Sequence, residues 1–159
     1  MEFFADRNLG KEFPLRLRAA GLTVHMHDDY FTPDADDEEW APYVSERGWI
    51  GLSRDRRIRS TVVEYDAVMF AAGRLLVMTG GSMKTDLLAM NFLNTLGRIE
   101  RVVHEQPAPF IAMLYRPSPL ESILKGAPGS VKVVLTVSEW ERKRRKRFPI
   151  PGLRESGDP

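Results

Sequence analysis

The sequence predicts an α/β fold, a three-layer sandwich built on a mostly parallel sheet. Three observations carry this expectation. Short apolar runs alternate with longer segments of helical periodicity from residue 1 to residue 116. Gly21, Gly48 and Gly73 punctuate the ends of the helical segments. The run Leu75–Met78 is apolar at every position, as a strand buried on both faces requires.

Taken in order, Phe3–Ala5 is the first strand and ends at Asp6. Leu9, Phe13, Leu17 and Ala20 recur at helical spacing, so a helix follows; Pro14 fits its first turn if it begins at Glu12 or Phe13. Leu22–Met26 is the second strand. Residues 28–39 then hold seven acids and no base, with Pro33 marking a loop. Asp37–Arg47 is a second helix, with acids at its N-terminus as the helix dipole prefers. Trp49–Ser53 is the third strand, followed at once by Asp55, and Arg57–Ala72 is the third helix. Leu75–Met78, a helix over Met83–His104 and a strand over Phe110–Leu114 complete the body. Trp40, Trp49, Phe110 and Met113 are expected in the core.

The 159 residues suit one domain with a short appendage, and 43% hydrophobic with 28% charged residues describes a globular chain. The absence of cysteine excludes disulfides, cysteine-ligated zinc, iron–sulfur clusters and thiol catalysis. No apolar run approaches the ~20 residues that span a bilayer, and the N-terminus lacks the apolar stretch of a signal peptide. A cytoplasmic protein with no membrane association is expected. The net charge of +1 hides an asymmetry: residues 117–159 carry 9 Lys and Arg against 5 Asp and Glu, and 6 of the 11 prolines. The expected organisation is therefore an acidic body over 1–116 and a basic, proline-containing extension over 117–159. Within the extension, Val131–Val137 is strand-like, Arg142–Arg147 is an unbroken basic run, and 149–159 is expected to fray.

In open parallel sheets, function collects at the carboxyl ends of the strands. Asp6, the acidic loop with the start of the second helix, and Asp55 all fall there. Clustered carboxylates repel unless a cation neutralises them. Oxygen donors without cysteine point to Mg2+ or Mn2+. Spacing alone leaves a second reading open, because Asp is among the best N-caps and both Asp6 and Asp55 precede helical segments.

The strings FFADRNLG, DDEEW, RGWIGLSRDRRIR and PAPFIAML, in this order, resemble the PIN-like domains of VapC-type toxins over about residues 2–114. The resemblance implies a Mg2+- or Mn2+-dependent endoribonuclease, the toxin of a toxin–antitoxin pair. It implies metal-binding catalytic acids at Asp6, at Asp37 with Glu38 as its neighbour and substitute, and at Asp55 in Ser53-Arg54-Asp55. A fourth acid has no clear motif here; Glu64 and Asp86 are the candidates. The resemblance further implies an RNA substrate, a cognate antitoxin protein covering the acidic cleft, and homodimerisation.

Other features were weighed beside it. Arg54, Arg56, Arg57 and Arg59 crowd Asp55 and would position RNA backbone, or form a solvated helix face. Thr79–Thr85 is a glycine-rich turn before a helix, where Lys84 would add charge to an anion pocket. His25-Met26-His27-Asp28-Asp29 matches the start of a metallohydrolase HxHxDH motif, but Tyr30 replaces its last histidine and too few ligands remain for zinc. The basic run Arg142–Arg147 would contact RNA, dock a partner or lie free. Two further functions stay open on the sequence. One is a receiver-like phosphoacceptor module using Asp55 and Thr79, although the acid pair after the first strand and the lysine after the fifth are missing. The other is a catalytically inactive PIN-like module that binds RNA or protein.

Overall fold

Every strand that the sequence marks as apolar throughout is buried on both faces, and this decides the architecture. The computed structural model describes residues 1–54, 62–149 and 151. Its strands are β1 (Glu2–Ala5), β2 (Thr23–Met26), β3 (Ile50–Arg54), β4 (Arg74–Met78), β5 (Phe110–Tyr115) and β6 (Ser130–Thr136). Its helices are α1 (Glu12–Ala19), α2 (Asp37–Glu46), α3 (Val62–Phe70), α4 (Thr85–Glu105) and α5 (Val137–Arg147), with short 3-10 turns at Arg7–Leu9, His27–Asp29 and Leu120–Lys125. The six strands form one sheet in the order β2-β1-β3-β4-β5-β6. All neighbours are parallel except β5 and β6.

Alternation along the strands sorts the core into two layers. Phe3, Ala5, Ile50, Leu52, Leu76, Met78, Phe110 and Ala112 pack with α1 and α4 through Phe13, Leu17, Leu88 and Phe92. Phe4, Leu75, Val77 and Ile111 face the other way, against Trp40 and Val44 of α2, Val68 and Met69 of α3, and Trp140 of α5. The expected three-layer sandwich follows. Gly51 makes room in the second layer: a Cβ there would lie 3.4 Å from the Trp40 ring and 3.2 Å from Leu75.

The expected elements stand close to their predicted bounds, with informative differences. Pro14 sits at the third position of α1, inside the first turn, where its missing N–H costs nothing. The predicted start of α3 at Arg57 lies outside the described residues. Trp40 is buried as expected, but Trp49 is half-buried at the sheet edge. Its ring stacks on His25 at 3.5 Å and 10°, and the Arg47 guanidinium sits 5.7 Å from it. Met113 is partly buried and packs at the margin of the second layer.

The segment expected as an appendage beyond residue 116 joins the same sheet. β6 pairs antiparallel with β5, and α5 buries Trp140 against α3. Trp140 Nε1 donates to Asp66 at 2.7 Å, and Arg147 reaches the same carboxylate oxygen at 3.0 Å. Burial by itself would raise the Asp66 carboxyl, but these two hydrogen bonds together with the charges of Arg147 and Arg144 outweigh it and hold the group below the usual carboxylate range. Half-burial of alternate β6 residues marks an edge strand, and that weak alternation is why the sequence reads as an add-on.

A polar stripe on α4 steers the chain into β6. Asn94 donates to Ile123 O at 2.9 Å, Thr95 Oγ1 accepts from Gly129 N at 2.8 Å, and Arg98 donates to Gly129 O at 2.6 Å. Gly129 passes so close to β5 that a Cβ would fall 1.9 Å from Tyr115 O. Gly129→Ala is therefore expected to cost about 1–3 kcal/mol through overpacking. For a chain of this size that is a fall in melting temperature of roughly 3–10 °C. Thermal unfolding of the two proteins checks it, and an unchanged Tm would mean that the β5–β6 junction yields freely.

Candidate active site at the carboxyl ends of β1 and β3

Strand order reverses between β1 and β3: the chain goes from β1 outward to β2, then crosses back to β3 and continues the other way. Ligands of open α/β sheets bind in the crevice at such a switch point. The register pairs Ala5 with Leu52, so Asp6 and Ser53 emerge side by side at the carboxyl end. Asp6 N closes the ladder by donating to Leu52 O at 2.9 Å.

Asp6 fulfils the capping reading as well as its place in the crevice. One carboxylate oxygen accepts from Arg7 N at 2.7 Å and starts the 3-10 turn, which Gly10 ends at φ 71. Burial raises the Asp6 carboxyl above its ordinary value. The Arg7 backbone hydrogen bond, the charge influence of His27, the Ser53 hydroxyl and the Arg7 charge pull it back only in part. The half-buried carboxylate is thus only partly compensated by its neighbours.

Asn8, within FFADRNLG, is a site residue that the sequence pattern does not single out. Its carboxamide donates to Ser53 Oγ at 2.8 Å and to Arg54 O at 3.0 Å, and accepts from Arg54 N at 3.1 Å. Those bonds extend the β1–β3 ladder by a side chain where the backbone has turned away. The available signal was an Asn two residues after a strand-ending Asp, since Asn side chains readily mimic backbone in turns.

Arg54 behaves differently from the expectation of RNA contact. It is buried, and its Nη2 donates to Gly80 O at 3.2 Å and to Met83 O. The guanidinium thus fastens the glycine-rich turn to the end of β3. That leaves Lys84, exposed at the N-cap of α4, on the rim of the same crevice. Thr79 is committed to β5: its hydroxyl and its N–H both lie 3.0 Å from Leu114 O. That hydroxyl is not free to serve the phosphoacceptor alternative. Asp86 caps its own turn by accepting from Leu87 N at 2.9 Å.

The acids of α2 divide their work. Asp36, not Asp37, is the N-cap, accepting from Glu39 N at 3.2 Å. Asp37 accepts from Trp40 Nε1 at 2.8 Å, which ties the helix start to the second core layer. Glu38 is exposed and lines the groove between α2 and α3 with Pro42 and Phe70, away from Asp6. Among the described residues, no three His, Asp or Glu side chains gather closely enough to hold a metal ion. Asp55, Arg56, Arg57 and Arg59 lie outside the described residues, as does the side chain of Glu64. The described part of the predicted carboxylate set is therefore Asp6 in the crevice, Asp37 and Glu38 on α2, and Asp86 on α4.

Beside Asp6 is a cleft of about 210 Å3 whose lining includes Lys11, His27 and Asp28. Asp28 comes from the acidic loop, and Lys11 Nζ stands 3.8 Å from its carboxylate. His27 is buried, with Nδ1 3.6 Å from Asp28 Oδ1. His25 points elsewhere, bonded to Glu2 at 2.6 Å and to the Tyr30 hydroxyl at 2.7 Å, so the two histidines do not pair on one metal. Exposed Asp34 is held low by the Thr32 hydroxyl and its own backbone, and it also feels Arg7. The acidic loop thus borders the Asp6 crevice.

The chain is similar to known proteins. A family model described as a PIN like domain matches residues 1–80. The Mycobacterium tuberculosis (strain ATCC 25618 / H37Rv) protein named "Putative ribonuclease VapC45" is 31% identical over 126 residues, covering 76% of this chain and 90% of the relative. No solved structure matches the chain.

The raised Asp6 carboxyl sets a sign for stability. Its folded state holds the proton more tightly than the unfolded chain, so ionised Asp6 costs stability that appears as pH rises above the ordinary carboxylate range. In chelator at neutral pH, Asp6→Asn is expected to melt higher than the wild type, and the gap should close below about pH 4. Melting curves from pH 3 to 8 check it. A wild type that melts higher at neutral pH would show that the carboxylate is already compensated.

Proposed function

Because this chain belongs to the PIN-like domain family of VapC-type toxin ribonucleases, we propose that it is an endoribonuclease that hydrolyses RNA phosphodiesters with a carboxylate-held divalent cation. The observation that carries the reading is Asp6: a half-buried, under-compensated carboxylate at the β1/β3 switch point, hydrogen-bonded to the Ser53 hydroxyl that Asn8 fixes. Asp6, Asp37 and Asp55 are the proposed ligands. Their donor set is oxygen only, which fits Mg2+ or Mn2+ and disfavours softer metals. When bound, the cation supplies Lewis acidity and offsets negative charge on the reacting phosphodiester.

The chain's own residues do the positioning. The Asn8–Ser53 hydrogen bond fixes the hydroxyl that touches Asp6, an outer-shell arrangement that orients a ligand. Lys84 at the start of α4, with Arg56 and Arg57, is assigned to RNA phosphates. Arg54 is assigned to holding the 80–83 turn, because it is buried and its Nη2 donates to two carbonyls there. Glu38 faces the α2–α3 groove and is assigned no catalytic part. The physiological partner in this reading is an antitoxin that covers the acidic crevice.

Purified protein should cleave single-stranded RNA with Mg2+ or Mn2+ and stop in chelator. Asp6→Asn and Asp55→Asn should each lower the rate at least about a hundredfold with the fold intact, since each removes a charged ligand from a site with few. Added cation should raise the Tm of the wild type and raise that of Asp6→Asn much less. Wild-type-like cleavage by the folded Asp55→Asn protein would refute the site. Asn8→Ala should lower cleavage by about ten- to a hundredfold through the misplaced ligand, and a kinetic comparison with Asn8→Ser isolates the loss of the carboxamide.

A further inference from the structure

The basic run Arg142–Arg147 is not a loose tail. It forms the last turns of α5, and it sits beside an apolar cleft of about 300 Å3. Tyr65, Leu135 and Trp140 form the apolar part of that cleft; Lys143, Lys146 and Arg147 rim it. Among the described residues, one member of the run forms an ion pair within 4 Å, Arg147 with Asp66. That pair also neutralises the acidic group in the lining. Arg144 lies over the rings of Phe70 at 4.5 Å and Trp140 at 4.8 Å. Glu139, engaged in the α5 capping box, attracts Arg142 and Lys143 only at longer range. Lys143, Arg145 and Lys146 remain exposed.

α5 is anchored on α3 at one place. β6 is antiparallel, so α5 departs from Thr136 opposite Phe110, at the amino end of β5. Trp140 near its start meets Phe70 of α3, with ring centroids 4.9 Å apart, and donates to Asp66. Arg144 lies over the same Phe70 ring, and Arg147 reaches the same Asp66 carboxylate. The acidic rim around Asp6 repels a polyanion, and α5 offers a net positive surface apart from it.

We infer that α5 and the Tyr65–Leu135–Trp140 cleft form an RNA-binding exosite. Lys143 and Lys146 hold successive phosphates of a single strand, and one unstacked base enters the apolar cleft between them. Cations beside an apolar recess are the two parts that single-strand binding uses. An acidic protein segment would use the cations but would not need the apolar recess. The inference rests on the ribonuclease reading for its choice of RNA, but its test reads binding alone.

The test uses the full chain carrying Asp6→Asn in chelator, so that RNA stays intact. A labelled single-stranded RNA of about ten nucleotides is titrated by fluorescence anisotropy at several salt concentrations. Lys143→Gln with Lys146→Gln should raise Kd about tenfold at moderate salt and flatten the log–log salt slope by about 1.4, from two lost phosphate contacts at about 0.7 each. Abasic RNA of the same length should bind the unsubstituted lysine surface about tenfold more weakly than normal RNA. An unchanged Kd and slope in the double-lysine variant would overturn the exosite. So would equal binding of abasic RNA together with equally effective competition by polyglutamate, which would give the surface to an acidic protein. Metal-dependent cleavage by the wild type, measured separately, distinguishes failure of this inference from failure of the ribonuclease reading.

Discussion

The joint between β1 and β3 is the constraint on which the rest of the site depends. Two parallel strands that are far apart in sequence meet there, and both end at the same level. The chain leaves β1 in a 3-10 turn, so the backbone can no longer bond to β3. The Asn8 carboxamide replaces it, with three hydrogen bonds to Ser53 and Arg54. One amide side chain thus fixes the positions of Asp6 and Ser53 relative to each other.

Arg54 extends that joint to the next strand. Burying a guanidinium is costly unless its donors find acceptors, and the carbonyls of Gly80 and Met83 supply them for Nη2. The glycine-rich turn after β4 is thereby held against the end of β3. The ends of β1, β3 and β4 and the start of α4 then form one rim with an acid in the crevice and Lys84 exposed at the edge. Both core layers support this rim, because each strand is packed from either side by a different set of helices.

Charge is divided along the molecule in a way that suits a polyanionic substrate. Acids gather at the carboxyl ends, around Asp6, Asp28 and the start of α2. Cations gather on α5, whose last-turn Arg and Lys also favour the negative end of the helix dipole. On the proposed ribonuclease reading, carboxylates that would hold a cation repel phosphate until it is bound, so a cationic surface elsewhere serves to recruit RNA.

Much of this was already legible in the sequence. Period-2 and helical patterns, the glycine stops and the uniformly apolar strands are local properties, and they fixed the α/β class, the element order and the strand-ending position of Asp6. The motif order pointed to the family for the same reason: it is written in contiguous residues. What the tertiary structure alone decided concerns groups that meet across the sheet. Asn8 and Arg54 are unremarkable polar residues until β3 lies beside β1 and the 80–83 turn lies above it, 26 to 46 positions away. The same holds for β6 and α5. Their edge strand alternates weakly and their basic run looks solvated, so only the pairing with β5 and the burial of Trp140 against Asp66 made them part of the core. Local pattern follows from the backbone period, whereas the partner of a buried polar group is set by which strands become neighbours.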